Sequence, residues 1–482
     1  MKTSQILILL RAYIKLGIKI LLPIAIIFLI GYFLIYKKIF KGTRTIKKRQ
    51  LLLYAVSICY VVIVIGATFL SRDQSETYND TMNLNLFSSY IEAYHDIGVN
   101  LLNNVLLRNL ILNIMLFIPL GFLLPMYSDK LKKMYIVVPI GLLATLSIEF
   151  TQHFNKFGTF EIDDAFNNTL GTLIGYCMFM IFYGLKNKEK FKKIIGYIIP
   201  IIATIGLFVG ILVGHRYQEF GNFEFENNFT IDMSNVKVQS EIQFSKQRSK
   251  KEIYQTEVLT KEEARQVAID WFEKVGTEID DNDTTEGENM ILFRNKKNEH
   301  SESGYFVNID YVGARYRYND SSDIFMEDGK IVFMNKIEDA SREEVEQALL
   351  KLEVEVPQYA EFGQNRMEQY TFSVNMKKEG NKLIDGQLRC SYYEDKTIKD
   401  IANEIITYDK VTEKEIISEQ EAYEEILAGE FKAFTSDPVH SITIQTVQLE
   451  YKLDSKGYFV PIYKFDILLN DKTSYIYIKA VK

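Results

Sequence analysis

The sequence has little cysteine, and most of its cysteine lies in apolar segments. Only three cysteines occur in 482 residues, and Cys390 is the only one in the second half of the chain. No disulfide can therefore form within that half, which excludes a small disulfide-stabilised framework. A hydrophobic core has to stabilise it, and its length is sufficient for one.

A basic surface is also lacking where a nucleic-acid-binding protein would need one. Residues 1–213 contain 22 Lys+Arg and 11 Asp+Glu, whereas residues 214–482 contain 34 and 52. The acidic second part argues against nucleic acid as a partner, because phosphate binding requires positive charge. The apolar residues are concentrated in the first part, which excludes both a fully soluble and a disordered protein.

Short catalytic motifs are missing as well. The sequence contains no HExxH zinc motif, no recognisable Ser-His-Asp set and no glycine loop that would cradle a phosphate. We therefore expect no metal and no cofactor, and a binding role is favoured over catalysis. Paired carboxylates near an arginine can still perform acid–base chemistry, so a membrane enzyme stays an alternative.

Apolar runs long enough to cross a membrane recur along the first part. They cover residues 18–36, 51–70, 110–127, 134–150, 169–185 and 194–213. Residues 1–50 are predicted to hold an amphipathic or first transmembrane segment and a basic loop, and residues 51–213 a transmembrane domain. The predicted fold class begins with an α-helical polytopic bundle of five or six spans, in the cell membrane.

Loop charges predict the orientation of these spans. Basic loops at residues 37–49, 130–133 and 186–193 alternate with acidic or mixed loops at 71–109 and 151–165. Because positive charge is retained on the cytoplasmic side, the last span is expected to deliver the C-terminal part outside the cell. The side of the N-terminus stays open, since its own lysines and arginines oppose this orientation.

Polar side chains occur inside or next to the apolar runs, where an ionised group costs about 2.5–3.5 kcal/mol at the bilayer centre. Asparagine, acid and glutamine pairs spaced three or four residues apart share one helix face. They are predicted to form a polar site that opens to the outer leaflet; helix capping at the headgroup level is the alternative. The candidate ligand-binding residues are Arg72, Arg108, Asn109, Asn113, Glu149, Gln152, Asp163, Asp164 and Asn168.

Gly171 and Gly175 form a small-xxx-small pattern in the fifth run. Such a pattern lets two membrane helices approach closely, so both glycines are predicted to serve helix packing. A chance pair of glycines in an apolar run is the other interpretation.

These residues resemble the VanZ-like membrane family over about residues 51–185. The matching positions are Asn109, Asn113, Leu116–Phe122, Ser147–Gln152, Phe160–Asp164, Asn168–Gly171 and Gly175, with Arg72 and Asn83–Phe87 upstream. The sequence departs from the family at Glu161, where an aspartate is frequent, and at Gly158, where an arginine is frequent. The second departure leaves any anion-binding role to Arg72 and Arg108.

The resemblance implies a process more than a reaction. The family is named for a protein that raises resistance to teicoplanin, a lipidated glycopeptide. It implies an integral membrane protein that confers or modulates glycopeptide resistance in a Gram-positive cell envelope. The expected partners are membrane lipids or a lipophilic glycopeptide, bound at the outward-facing polar site. A membrane enzyme acting on a lipid-linked envelope substrate is the alternative.

The C-terminal part carries helix-start signals and aromatic strands. Residues 214–250 lack periodicity and are predicted to be a linker, and residues 251–482 an extracytoplasmic α+β region with antiparallel sheets. Capping boxes at Thr260, Ser341 and Ser418 open three predicted helices. Alternating runs at 305–311, 324–333, 370–376, 442–453, 458–469 and 474–481 predict strands.

This region is similar, more weakly, to PepSY-type and YycI-type extracytoplasmic domains of Gram-positive regulators, in up to two units. The resemblance rests on acidic helix starts followed by hairpins that end near Pro461–Phe465. It implies an extracytoplasmic protein partner. A third interpretation of the whole chain is therefore a regulatory protein-binding module that the bundle anchors.

Overall fold

The computed structural model describes residues 38, 47–70, 82–99, 104–223, 225–226, 230–296, 304–327, 330–435 and 438–481. The first apolar run, residues 18–36, lies outside them. The described residues form two compact units. The membrane unit holds the residues up to Tyr94 together with Val105–Gly214, and the C-terminal unit holds His95–Asn104 and the chain from His215 onwards.

Within the described residues, the membrane unit contains five helices that are long and apolar enough to cross a membrane. They confirm the predicted polytopic helical class of a multi-pass membrane protein. A short helix, α2, comes between the first two of them in sequence. The helices are α1 (Lys48–Ile65, whose span continues to Phe69), α2 (Ser88–His95), α3 (Val105–Tyr127), α4 (Met134–Phe154), α5 (Ile162–Lys186) and α6 (Phe191–Tyr217).

The pair α3 and α5 shows the closest packing in the membrane unit. A Cβ atom at Gly171 would lie 2.1 Å from the carbonyl oxygen of Ile114, and one at Gly175 would lie 1.9 Å from that of Ile118. Gly121 of α3 is equally close to the carbonyl oxygen of Thr172, at 1.9 Å. The two helices therefore touch backbone to backbone, which only glycine permits at these positions.

The C-terminal unit is a sheet with helices packed against it. Its helices are α7 (Lys261–Lys274), α8 (Arg342–Leu350) and α9 (Glu419–Leu427). Each begins with the predicted capping box, in which Thr260, Ser341 or Ser418 accepts a hydrogen bond from the backbone N–H three residues later. A helix followed by a meander of strands thus recurs three times in the described part of this unit.

The strands are mostly antiparallel, which confirms the predicted α+β class. The early ones are β1 (Lys237–Ser240), β2 (Ser249–Gln255), β3 (Thr285–Glu286), β4 (Met290–Arg294), β5 (Tyr305–Asp310), β6 (Tyr316–Asp320), β7 (Ile324–Glu327) and β8 (Lys330–Phe333). The later ones are β9 (Glu361–Gln364), β10 (Tyr370–Glu379), β11 (Lys382–Tyr392), β12 (Ile398–Asn403), β13 (Ile406–Ile416), β14 (Ser441–Leu453), β15 (Tyr458–Leu469) and β16 (Lys472–Lys479).

One sheet joins nearly all of these strands. Its main path runs β1-β14-β15-β2-β13-β11-β12-β6-β5-β4-β3, with β9 and β10 attached at β11 and β16 at β15. The pair β1 and β14 is parallel, and the hairpin β7–β8 forms its own small sheet.

Two hydrophobic cores lie on this sheet. The first core packs α7 and α8 on β4, β5, β10 and β11 around Trp271, Phe272 and Leu349. The second core packs α9 on β14, β15 and β16 around Ile426, Phe465 and Ile476. The segment predicted as a linker, residues 214–250, contributes Phe220, Phe223 and strand β1 to the second core or its sheet. The aromatic residues of this segment follow neither helical nor strand periodicity, so the sequence did not predict that it joins the sheet.

Candidate functional site

Polar side chains of the membrane unit gather where α4 ends and α5 begins. Glu149, Gln152, Asp163 and Asn168 are 3%, 2%, 1% and 5% exposed. We call these four residues, with Asn113, Asp164 and Asn167, the polar cluster. Burial of this many polar groups in an apolar bundle is costly unless they bind one another or a ligand. Their partners therefore decide what the cluster can do.

Asp163 holds the start of helix α2. Its carboxylate accepts hydrogen bonds from the backbone N–H groups of Phe87 at 2.6 Å and Ser89 at 2.8 Å. The Ser88 hydroxyl lies 3.5 Å away as a third donor. A carboxylate at this place satisfies N–H groups that the helix leaves free and complements its dipole. Asp163 is thus a positioning residue in this structure.

Asn167 extends the same attachment. It contributes a side-chain oxygen that accepts a hydrogen bond from the hydroxyl of Tyr90, one turn further along α2. Tyr90 is buried, with Leu107 and Leu110 beside it in a small core. Helix α2 is therefore held to α5 by two polar contacts and by apolar packing.

The remaining amides of the polar cluster connect the spanning helices. The Asn113 amide of α3 donates to the Asp164 carboxylate of α5. The Asn168 amide donates to the Thr145 hydroxyl of α4 at 2.8 Å, and the Gln152 amide donates to the backbone carbonyl of Thr68 at 2.8 Å. Four predicted site residues therefore take part in direct hydrogen bonds between neighbouring helices.

Two buried side-chain atoms of α5 have no hydrogen-bond partner in the described part of the chain. They are Nδ2 of Asn167, a donor, and Oδ1 of Asn168, an acceptor. An unsatisfied buried polar group costs about 1–3 kcal/mol, so such atoms usually face a ligand or water. They are adjacent in sequence at the centre of the polar cluster.

Glu161, immediately before α5, was absent from the predicted site residues. The Ser89 hydroxyl lies 3.4 Å from its carboxylate, and residue Asn83 pairs with it as an isolated parallel bridge. Burial raises the pKa of Glu161 to about 7, and the charges of Asp164 and Glu92 add to this effect. Three acids within four residues, Glu161, Asp163 and Asp164, were the sequence signal for such crowding.

Of the two predicted cations, only Arg108 lies in the part of the chain that the structure describes. Arg72 lies outside the described residues. Arg108 forms no ion pair in the part of the chain that the structure describes, and its Nε atom is buried there without an acceptor. Five residues separate Arg108 from Asn113, about 140° around a helix, so the two face different sides of α3. Asn109 is exposed on α3.

Among the comparisons with known proteins, a family model matches part of the membrane unit. Residues 51–183 match the model of the VanZ/LLP1 family. No curated protein matches the chain. Among solved structures, the Bacillus megaterium YpeB C-terminal domain is similar at 13% identity, covering 47% of this chain and 95% of that one, with a TM-score of 0.19. At that score the likeness carries no argument about fold or function.

The motif residues quoted from the sequence lie inside the matched range, and the structure places several of them in the polar cluster, namely Asn113, Gln152, Asp163, Asp164 and Asn168. The resemblance that they suggested is confirmed by the family match. Residues 51–183 of this chain are a VanZ-like membrane domain.

Proposed function

We propose that the membrane unit binds the polar group of an envelope lipid or of a lipophilic glycopeptide at the polar cluster, and thereby lowers susceptibility to teicoplanin-type antibiotics. The observation that carries this proposal is the pair of unsatisfied atoms, Asn167 Nδ2 and Asn168 Oδ1, buried in an apolar bundle. The two side chains point about 100° apart around α5, and each unsatisfied atom can bind an amide, a hydroxyl or a sugar group of a ligand.

The surroundings favour a ligand with both a polar and an apolar part. Apolar residues on α3 and α4 close to the polar cluster are exposed, including Met115 and Phe150. In a membrane these side chains meet acyl chains, whereas the buried amides can bind only a polar group. A lipid-linked or lipidated molecule supplies both parts at this depth.

The positive charge of Arg108 favours a ligand that also carries an anionic group. Arg108 carries a guanidinium without a carboxylate partner in the described residues, so it is available to a phosphate or carboxylate of the ligand. It faces another side of α3 than Asn113 does, so this contact would be made by a part of the ligand away from the amides. We place the polar cluster at the outer leaflet on the alternation of loop charges.

The test is resistance in a sensitive Gram-positive host. Asn168→Ala and Glu149→Gln should each reduce the teicoplanin protection given by the full-length protein by at least about fourfold, because a few lost hydrogen bonds cost that much in affinity. Asn155→Ala is the matched control: Asn155 is an exposed asparagine just beyond α4, and within the described residues its side chain bonds only its own helix, at Thr151. Membrane levels are equalised by immunoblot. Protection by both site variants equal to that of the wild type would refute the proposal.

A second candidate is a membrane enzyme acting on a lipid-linked substrate. The favouring observation is Glu161, whose pKa of about 7 suits a general acid or base at neutral pH. Turnover of a lipid-linked substrate by the purified protein, lost in Glu161→Gln while lipid binding persists, would establish it. If the substrate is unchanged after prolonged incubation, the enzyme candidate is rejected and only the binding function remains.

A further inference from the structure

The short helix α2 and the turn that leads into it expose a large apolar surface on the membrane unit. We call residues 82–94 the α2 segment. Its sequence contains a single charged residue, Glu92. Five of its large apolar side chains are 40–64% exposed among the described residues. They are Met82, Leu84, Leu86, Phe87 and Ile91. A contiguous apolar surface of this kind marks a place that is covered by something other than water.

The buried face of α2 packs on parts of the spanning helices that lie within the membrane. The ring of Tyr90 lies 6.1 Å from that of Phe208 on α6, and Leu107 and Leu110 of α3 belong to the same small core. The apolar run of α6 continues to residue 213, which is about 7.5 Å beyond Phe208 along the helix axis. Helix α2 therefore lies at the depth of the hydrocarbon, although it is too short to span it.

The main chain of the α2 segment meets the requirement that a membrane imposes on polar backbone groups, which must find partners within the protein. The N–H of Asn83 donates to the carbonyl of Phe160 at 2.8 Å, and the carbonyl of Asn83 accepts from Ile162 at 3.0 Å. The N–H of Asn85 donates to the Asn83 side chain at 3.2 Å. The Asp163 carboxylate accepts from two further N–H groups at the start of α2. The polar main chain thus bonds to the protein while apolar side chains point outwards.

The exposed side chains continue the lipid-facing surface of the spanning helices. The Phe87 ring packs edge-on against Phe166 of α5, with 5.3 Å between the ring centroids. Phe150 of α4 is 41% exposed, and its ring lies 5.1 Å from that of Phe160, whose carbonyl binds Asn83. One apolar surface therefore extends from the spanning helices onto the α2 segment.

We propose that the α2 segment inserts its five exposed apolar side chains among the acyl chains of the leaflet on the side of the α4–α5 loop. Lipid is the occupant that agrees with its depth, its bonded main chain and its continuity with the surface of the spans. The segment then forms a wall between the acyl chains and the residues that it contacts, Asp163 and Asn167. This insertion does not depend on the ligand binding proposed for the polar cluster.

The experiment uses the full-length protein in vesicles of phosphatidylcholine and phosphatidylglycerol. Single cysteines introduced as Leu84→Cys, Leu86→Cys or Ile91→Cys carry a nitrobenzoxadiazole dye, whose emission reports the polarity around it. Each protein is measured with ordinary phosphatidylcholine and with phosphatidylcholine brominated on its acyl chains, which quenches a dye in contact with them. All three positions should lose at least about half of their fluorescence, because an interfacial helix reaches about 5–10 Å into the acyl boundary.

Two further positions calibrate the dye. Ile202→Cys, at a side chain 62% exposed in the middle of α6, is the acyl-chain reference, and Met367→Cys, at one 76% exposed in the C-terminal unit, is the water reference. Every protein carries Cys59→Ser, because the other two cysteines, Cys177 and Cys390, are buried. Melting curves establish that each labelled protein is folded.

The outcome at the three positions of the α2 segment decides the assignment. Bromine quenching close to that of Ile202→Cys at two or more positions supports insertion into lipid. Unquenched emission like that of Met367→Cys at two or more positions would show that the segment lies in water, and would refute the proposal. Emission typical of an apolar environment without quenching would show that protein covers these side chains, and would refute it equally.

Discussion

Individual carboxylates in the membrane unit have different tasks although they are close in sequence. Asp163 accepts backbone hydrogen bonds at the start of α2, Asp164 binds the Asn113 amide, and Glu161 is crowded by both. Two of the three therefore stabilise the fold. The unsatisfied amide atoms of Asn167 and Asn168, not these two aspartates, are the groups left for a ligand.

Asp163→Ala should destabilise the membrane unit by about 1–3 kcal/mol, because two backbone N–H groups of α2 lose their acceptor in a buried place. Asp163→Asn keeps one acceptor oxygen and should cost less. Melting temperatures of the purified protein in detergent measure both effects. Glu368→Gln, at an exposed turn, is the control for removal of an acid. An alanine variant as stable as the wild type would show that α2 does not depend on Asp163.

Glu161 should make stability depend on pH. Its pKa rises from an ordinary 4.5 to about 7 on folding, so between these values the folded state binds more protons than the unfolded state. The free energy of unfolding therefore falls as pH rises through this window, by up to about 3 kcal/mol from this group.

The measurement compares wild type and Glu161→Gln in melting curves from pH 5 to pH 8. The variant cannot ionise at this position, so its melting temperature should fall less over the same range. Parallel pH dependence of the two proteins would mean that Glu161 ionises in the folded state as freely as it does in the unfolded chain.

Helical spacing was sufficient to select most of these residues from the sequence. Their hydrogen-bond partners could not be predicted from the sequence, because Asp163 accepts from the backbone N–H of Phe87, 76 positions earlier. Arg108 was expected beside the acids, but the rotation of α3 turns it to another side. Spacing along a helix identifies a shared face, whereas contacts between helices depend on how the bundle packs.

At the scale of elements, the contact between α3 and α5 depends on glycine. Gly171, Gly175 and Gly121 let the two backbones meet, and polar bonds at the start of α5 then fix the register. Gly206 and Gly210 on α6, in contrast, have no described atom within 4 Å of a built Cβ. The sequence pattern of glycines alone does not distinguish these two situations.

Gly175→Ala should destabilise the membrane unit by about 1–3 kcal/mol, because the new methyl group would overlap the Ile118 carbonyl and force α3 and α5 apart. Gly210→Ala adds the same methyl group on an open face of α6 and should be neutral or slightly stabilising. The amount of folded protein in membranes and its melting temperature are measured side by side. Equal behaviour of the two variants would contradict the packing described for Gly175.

Elements of the C-terminal unit were predictable where their signals are local. The capping boxes at Thr260, Ser341 and Ser418 involve residues three apart, and all three occur as expected. Strand order was not predictable, because β1 pairs with β14 and β2 pairs with both β13 and β15. Such pairings depend on which edges remain open once the helices have packed.

At the scale of the whole molecule, the division of charge follows the division into units. The basic loops belong to the membrane unit, and the acidic excess belongs to the C-terminal unit. Loop charge predicts that the latter lies outside the cell. Its cysteine content agrees with stabilisation by apolar packing, since Cys390 is a free, fully buried thiol.

Cysteine labelling in intact cells tests this orientation. Met367→Cys, at a side chain that is 76% exposed in the C-terminal unit, should react with a membrane-impermeant maleimide from outside. Lys130→Cys, in the exposed loop between α3 and α4, should react only after permeabilisation. The parent protein carries Cys59→Ser to lower background, because Cys177 and Cys390 are buried. Labelling of position 130 in intact cells would reverse the assigned orientation.

The pairing of early strands with late ones also dictates an order of assembly during synthesis. Strands β1 and β2 are synthesised soon after the last membrane helix. Their pairing partners come about 200 residues later, since Lys237 pairs with Ser441 and Gln255 pairs with Tyr458. The first core lies within residues 259–401 and can close earlier. Until the final strands arrive, the stretch next to the membrane exposes strand edges and Phe220 and Phe223, the features that chaperones bind. The segment that directly follows the last membrane helix is therefore synthesised first within the C-terminal unit but completes its packing last.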